Sequence, residues 1–254
     1  MIKLEKKYHF IIFSIVVLVT VFLAYFSQAY NPDMYKDSDN DGLTDYEEKA
    51  IYQTFWYDND TDKDGFIDGN EVVNGYSPKQ PLLKMIEADT DNDGLNDEWE
   101  IKLGTNLMIR DSDGDGDLDG KEVYYGFSPT DPKPYPVDKI IKVNIADFTL
   151  SYYQGDIMLD SFKISTGKPS SPTPLGEYTI TEKYPIKHYF NYPNTKWNLL
   201  FYRKAPNLGY YIHGAYWHDK FGLENISGGC VNAPYDQMER LYNWTNIGTK
   251  VYIK

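Results

Sequence analysis

The sequence predicts a mainly β domain in its C-terminal half. Before it come a small region of repeated acidic loops with short helices and a single N-terminal apolar helix. Three observations predict this. Charge is unevenly divided along the 254 residues, a twelve-residue acidic pattern occurs four times, and the residues after Pro136 read as short β-branched and aromatic runs between turn residues. The formal net charge of −13 excludes a general nucleic-acid binder, because phosphate recognition needs a basic footprint. One cysteine, Cys230, excludes an intrachain disulfide framework. The pieces are residues 1–30, 31–130, a proline-rich connector 131–136, and 137–254. Their charges have different signs. Residues 1–30 hold three Lys and one Glu, residues 31–136 hold 27 acids and 9 bases, and residues 137–254 hold 10 acids and 13 bases.

At the N-terminus, Lys3, Lys6 and Lys7 precede an uncharged run from Phe10 to Tyr30. Basic residues before an apolar segment hold that end on the cytoplasmic side, which places the remainder in an extracytoplasmic compartment. Two readings are open. A signal peptide would be cleaved after Ala29, with Ser27 and Ala29 as the small residues. An uncleaved transmembrane anchor needs about 20 apolar residues, and the run is long enough.

The middle region carries DSDNDGLTDYEE from Asp37, DTDKDGFIDGNE from Asp60, DTDNDGLNDEWE from Asp89 and DSDGDGDLDGKE from Asp111. Each has Asp at positions 1, 3, 5 and 9, Gly at 6 and Glu at 12, the pattern of an EF-hand-type calcium loop. Calcium takes six to eight oxygens, alternate carboxylates curl round one centre, and position 7 supplies a backbone carbonyl. The candidate ligands are Asp37, Asp39, Asp41, Leu43, Asp45 and Glu48 in loop 1; Asp60, Asp62, Asp64, Phe66, Asp68 and Glu71 in loop 2. In loop 3 they are Asp89, Asp91, Asp93, Leu95, Asp97 and Glu100; in loop 4, Asp111, Asp113, Asp115, Asp117, Asp119 and Glu122. Up to four Ca²⁺ ions would be structural, and the region should be loose without them and compact with them. Four complete matches argue against a disordered acidic linker.

Loops 1 and 2 repeat as loops 3 and 4, and the trailing NGYSPKQP and YGFSPTDP agree, so the unit is a duplicated pair. Spacers this short leave no room for paired flanking helices. One exit helix is expected after loop 1 (EEKAIYQTF) and one after loop 3 (EWEIKLG), the second ending at Gly104. The pattern resembles bacterial thrombospondin type 3-like calcium repeats and, more distantly, dockerins. The dockerin likeness implies a possible protein partner for this module.

From residue 137 onward KIIKVNI (139–145), FTLSYY (148–153), DIMLDSFKIS (156–165), EYTITE (177–182), WNLLFYR (197–203), YYIH (210–213) and KVYIK (250–254) read as strands. Gly155 marks a hairpin, and a flanking helix is expected from Pro234 to Trp244. His213 ends one strand, and SGGCVN follows fourteen residues later. A nucleophilic cysteine needs a base to form thiolate and an acid for the leaving group, and one imidazole can be both. Gly228 and Gly229 let the amides of Gly228, Gly229 and Cys230 turn inward as an oxyanion hole. A zinc site from His213, His218 and Cys230 matches no common spacing. His218 and Asp219 read as a solvated lid loop, and His188 as surface packing beside a groove.

The stretch HGAYWHDKFGLENISGGCVN, with STGKPSSPTPLGEYTI (165–180) upstream and GTKVYI (248–253) downstream, resembles the L,D-transpeptidase catalytic domain (YkuD-like). The resemblance implies a β-sandwich with a flanking helix. It implies Cys230 as nucleophile, His213 as base, and the carbonyl of Gly214 orienting the imidazole. Ser227 and Asn232 would brace the loop. The family usually has His where this chain has Gly228, which bears on substrate contacts. The implied activity is acyl transfer between peptidoglycan stem peptides through a Cys thioester, with no cofactor for the chemistry. The repeats would act as a calcium-stabilised stalk. Activity should rise with pH as the Cys230–His213 pair ionises and then fall. The alternatives are an L,D-carboxypeptidase, with water as acceptor, and a calcium-dependent wall-binding or adhesion protein without turnover.

Overall fold

The computed structural model describes residues 32–254, so the N-terminal signal or anchor reading lies outside the described residues. Among the described residues no helix is long and apolar enough to cross a membrane. The chain divides into two compact units between Leu82 and Leu83.

The first unit holds loops 1 and 2. Thr44 and Glu47 form a capping box that starts α1 (Asp45–Glu47), which continues as a π-turn over Glu48–Tyr52. Loop 2 leads into α2 (Asp68–Asn74), which ends at Gly75 in the left-handed region. Gly69 donates from its amide to Asp41 at 3.2 Å. A Cβ on Gly69 would lie 2.3 Å from the Asp41 carbonyl oxygen, so the two loops can close together only over glycine.

The second unit begins with loops 3 and 4, built the same way. Asn96 caps α3 (Asp97–Leu103), which ends at Gly104 with φ +82°. Loop 4 runs into α4 (Asp119–Tyr125). A helix therefore follows every loop, not only loops 1 and 3. Each starts inside its loop at position 9, so the short spacers suffice, and Glu at position 12 projects from the first turn. Gly120 repeats the contact of Gly69, its amide donating to Asp93 at 2.9 Å.

Nine strands follow: β1 (Lys139–Asn144), β2 (Thr149–Gln154), β3 (Ile157–Lys163), β4 (Gly176–Thr179), β5 (Glu182–Lys187), β6 (Thr195–Ala205), β7 (Leu208–Gly214), β8 (Val231–Ala233) and β9 (Lys250–Ile253). They form two mixed sheets, ordered β3-β2-β1-β9-β4 and β5-β6-β7-β8, in which β1–β9 and β7–β8 are the parallel pairs. The flanking helix α5 (Tyr235–Trp244) buries Met238, Leu241 and Trp244 and starts from Pro234 as its cap. Strands β5 and β8 were not expected from the sequence. Pro185 breaks the donor row of β5, which fits its place at a sheet edge, and β8 is only three residues long.

One buried apolar cluster joins both sheets to α5. It also includes Leu95 and Trp99 of loop 3 and Val123 just after loop 4. Trp99 packs edge-on to the fully buried Tyr152 at 5.8 Å, and Tyr152 lies 5.0 Å from Trp244. Lys139 donates to Tyr124 O (2.7 Å), Trp244 O (2.5 Å) and Asn246 Oδ1 (2.7 Å). Lys102 reaches Leu159 O at 2.6 Å. The connector 131–136 folds back through Ser128 N to Tyr135 O and Val137 N to Gly126 O instead of running as a spacer. Loops 3 and 4 are thus built into the β unit and do not stand apart from it as a stalk.

Candidate active site and acidic loops

The register of β7 on β8 builds the site. His213 pairs with Asn232, and Ile212 with Val231. Alternation along extended chain puts Tyr211 and His213 on one face of β7, and Cys230 and Asn232 on the matching face beside it. All four line one cavity of about 840 Å³. The backbone of Tyr211 acts to lower the Cys230 thiol, against burial.

The loop carrying Cys230 is braced by residues 165–171. Bridges join Ser165 to Asn232 and Gly167 to Ser227, and Ser171 Oγ donates to Gly228 O at 3.0 Å. Ser227 Oγ donates to Cys230 O at 2.6 Å and accepts from Gly229 N at 3.0 Å. That second bond corrects the three-amide oxyanion hole. Gly229 is spent on the turn, leaving Gly228 and Cys230 as the backbone donors. Gly229 is required on two counts, since its φ is +117° and a Cβ would meet the Tyr210 ring at 2.6 Å. A Cβ on Gly228 would meet nothing within 4 Å, so this position, unlike 229, does not itself demand glycine.

His213 is buried, with its ring centroid 5.2 Å from Tyr189 and 5.8 Å from Trp217. Its Nδ1 lies 2.9 Å from Gly214 O. A carbonyl only accepts, so Nδ1 carries the proton and Nε2 is the free base. Burial pulls this imidazole down to about 4, opposed by the Gly214 bond. Burial pushes the Cys230 thiol up to about 11, opposed by the backbone of Tyr211 and the charge of Lys187. The pair rests neutral.

His218 reaches the same place from the loop after β7. Lys220 N donates to its Nδ1 at 3.1 Å, and its Nε2 lies 3.0 Å from Asn232 Nδ2. With Nδ1 accepting, a neutral imidazole holds its proton on Nε2 and must donate to Asn232. The Asn232 amide then turns its oxygen to His218. This pairs an oxygen that is otherwise buried without a partner and gives the NH₂ the opposite position. His218 is therefore tied to the cavity floor, while His188 lies at the rim, accepting from Asn194 N at 3.2 Å. Asp219 only raises the His218 imidazole slightly against burial. The sequence reading missed Lys187, Tyr189, Tyr211 and Trp217 in this lining. Aromatic and basic residues in a tyrosine-rich stretch carry no spacing signal.

In the acidic loops, the carboxylates at positions 1, 3 and 5 of each loop lie within 4.8 Å of one another. Buried oxygens without partners recur at two positions in all four loops. They belong to Asp39, Asp62, Asp91 and Asp113 at position 3, and to Glu48, Glu71, Glu100 and Glu122 at position 12. Burial, then neighbouring aspartates, push Glu71 and Glu122 up to about 8 and Glu100 to about 9. A hard dication supplies the missing partner for each of these oxygens, so the residues fit calcium. Position 9 does different work. Asp45, Asp68, Asp97 and Asp119 accept from the backbone and hydroxyl of Ser38, Thr61, Thr90 and Ser112 at position 2, at 2.6–2.9 Å. They fold the loop, and Asp68 in addition lies with Asp41 and Glu48 in a group of carboxylate oxygens within 4.8 Å of one another. The carboxylate of Asp117 pairs with Lys121, which leaves its backbone carbonyl as the ligand group.

Comparison with known proteins gives two family matches. The profile of the L,D-transpeptidase catalytic domain (YkuD) matches residues 138–253, and that of the bacterial TSP3 repeat matches residues 37–54 and 89–106. Probable L,D-transpeptidase 3 of Mycobacterium tuberculosis is 29% identical over 103 residues, 35% of this chain and 37% of that protein. Putative L,D-transpeptidase YqjB of Bacillus subtilis is 24% identical over 135 residues, 49% of this chain and 76% of that protein. Among solved structures, an L,D-transpeptidase from Mycobacterium tuberculosis superposes with a TM-score of 0.43 at 24% identity, covering 48% of this chain and 59% of that one. The chain spans just over a third of the mycobacterial relative's length.

Proposed function

Because residues 138–253 form an L,D-transpeptidase catalytic domain, we propose that this chain cross-links peptidoglycan stem peptides through a thioester on Cys230. The observation that carries this reading is the β7–β8 register, which puts Cys230 and a His213 of fixed tautomer on one face of one cavity.

Sγ of Cys230 attacks the carbonyl between an L-centre and a D-residue of the donor stem, and its proton passes to Nε2 of His213. The amides of Gly228 and Cys230 receive the oxyanion. Collapse expels the D-residue amine, protonated by the imidazolium, and leaves the thioester. An amine of a second stem attacks the thioester and gives its proton to His213. The new amide departs, and the thiolate regains that proton. Water in place of the amine would give the carboxypeptidase outcome.

The acidic loops would hold up to four calcium ions through the carboxylates at positions 1, 3, 5 and 12 and the position-7 carbonyl. Calcium there supplies charge neutralisation and rigidity, not chemistry. The basic-then-apolar N-terminus supports an extracytoplasmic, membrane-attached or secreted enzyme working on the wall.

The test is intact-protein mass spectrometry of the full chain with calcium and a disaccharide-tetrapeptide, beside Cys230→Ala. Loss of the terminal D-residue, a transient adduct on Cys230 and a cross-linked dimer are expected, all absent in the variant. Loss without dimer means hydrolysis. Wall binding by both proteins with no loss overturns the enzyme reading in favour of adhesion.

A further inference from the structure

Two cations, Lys187 and Arg203, line the cavity above Cys230, and no Asp or Glu does, in a chain whose net charge is −13. Arg203 is committed to Glu182 at 2.6 Å. Lys187 is not committed. Among the described residues its ammonium makes no ion pair and no hydrogen bond. It sits over aromatic faces instead, 5.1 Å from Tyr184, 5.9 Å from Tyr189 and 5.1 Å from Tyr211. Glu182, whose carboxyl the Lys187 charge helps to lower, already accepts from Arg203 and from the Tyr184 hydroxyl.

The backbone of Lys187 is fixed as the last residue of β5, paired with Thr195. One of its ring supports, Tyr211, lines the same cavity as Cys230. Aromatic rings orient an ammonium without pairing its charge, so this lysine offers a half-buried cation in the cavity that Cys230 lines.

We propose that Lys187 is the carboxylate-recognition residue of this cavity, holding an anionic group of the incoming peptide next to Cys230. The peptide identity rests on the function proposed above, but the charge preference does not. Stem peptides carry free carboxylates, and a cavity with a spare cation and no acid selects for them.

The experiment compares alkylation of Cys230 in the full chain by iodoacetate, which carries a carboxylate, and by iodoacetamide, its neutral isostere. It needs no transpeptidase turnover, so its failure is separable from failure of the functional reading. In the parent chain the carboxylate reagent should be favoured relative to a free thiol control. Lys187→Met should lower the iodoacetate-to-iodoacetamide rate ratio about five-fold, as expected for losing one charge contact. Lys187→Arg should retain the ratio and guards against misfolding of the methionine variant. An equal fall in both rates would mean that Lys187 acts only on the sulfur's ionisation and would overturn the proposal. An unchanged ratio with unchanged rates would overturn it as well.

Discussion

Burial moves Cys230 and His213 in opposite directions, and both shifts favour the neutral pair. Burial pushes the thiol up to about 11 and the imidazole down to about 4, so the free protein holds little thiolate at pH 7. Iodoacetamide alkylation should therefore climb about tenfold per pH unit from pH 7 toward pH 10. A plateau by pH 8 would instead reveal a preformed thiolate–imidazolium pair. The same shifts bear on stability. The folded thiol keeps its proton above its ordinary 9.0, so its contribution is present below about 9 and lost as pH rises through 11. The folded imidazole resists protonation below its ordinary 6.5, so its contribution is present above 6.5 and lost as pH falls through 4. His218 acts through Asn232. His218→Phe keeps a ring against Phe221, with centroids now 4.7 Å apart and planes tilted by 39°, but removes the donor that sets the amide. We expect it to lower kcat about ten-fold or more at unchanged Tm and unchanged iodoacetamide rate, with His218→Gln recovering most of the loss. Equal activity in the Phe variant, or a matching fall in Tm, would rule out this positioning role.

At the scale of elements, what the sequence made legible follows from local rules. The four loops were readable because carboxylates must alternate round one ion and a glycine must turn at position 6, where φ runs from +98° to +103°. The helix Tyr235–Trp244 was readable from Met238, Leu241 and Tyr242, and seven strands from their β-branched and aromatic runs. Where the sequence failed, nonlocal contacts decide. Strand β8 exists because Val231–Ala233 finds β7 in parallel and Ser165 on its other side, which no local propensity announces. The Ser and Thr at loop position 2 carry no signal by spacing; their work is set by the position-9 aspartates that accept from them. The cavity's cation and aromatic wall come from β5 and the loop after it, where proline and tyrosine carried no periodic signal.

For the whole molecule, the consequential fact is that the two loop pairs belong to different units. Loops 3 and 4 contribute Leu95, Trp99 and Val123 to the apolar cluster of the sheets, while loops 1 and 2 lie before the division at Leu82. Glu100 is 0% exposed and Glu122 4%, each with an oxygen that needs a cation. Without one, the carboxylate repulsion acts one residue away from Trp99 and Val123, on the core that carries β2 and α5. Calcium at a hundred times its dissociation constant stabilises by about 2.7 kcal/mol per site, so two sites give about 5 kcal/mol. In a unit of this size that corresponds to about 10–20 °C in Tm. Chelator should therefore lower the melting temperature followed by near-UV circular dichroism of the buried Trp99 and Trp244. Glu100→Gln with Glu122→Gln should reproduce the fall with calcium present, and Glu48→Gln with Glu71→Gln should leave that transition in place. If the transition melts at one temperature with calcium and with chelator, the second loop pair contributes nothing to the catalytic core despite sharing it. If all four substitutions lower it alike, the two units melt as one.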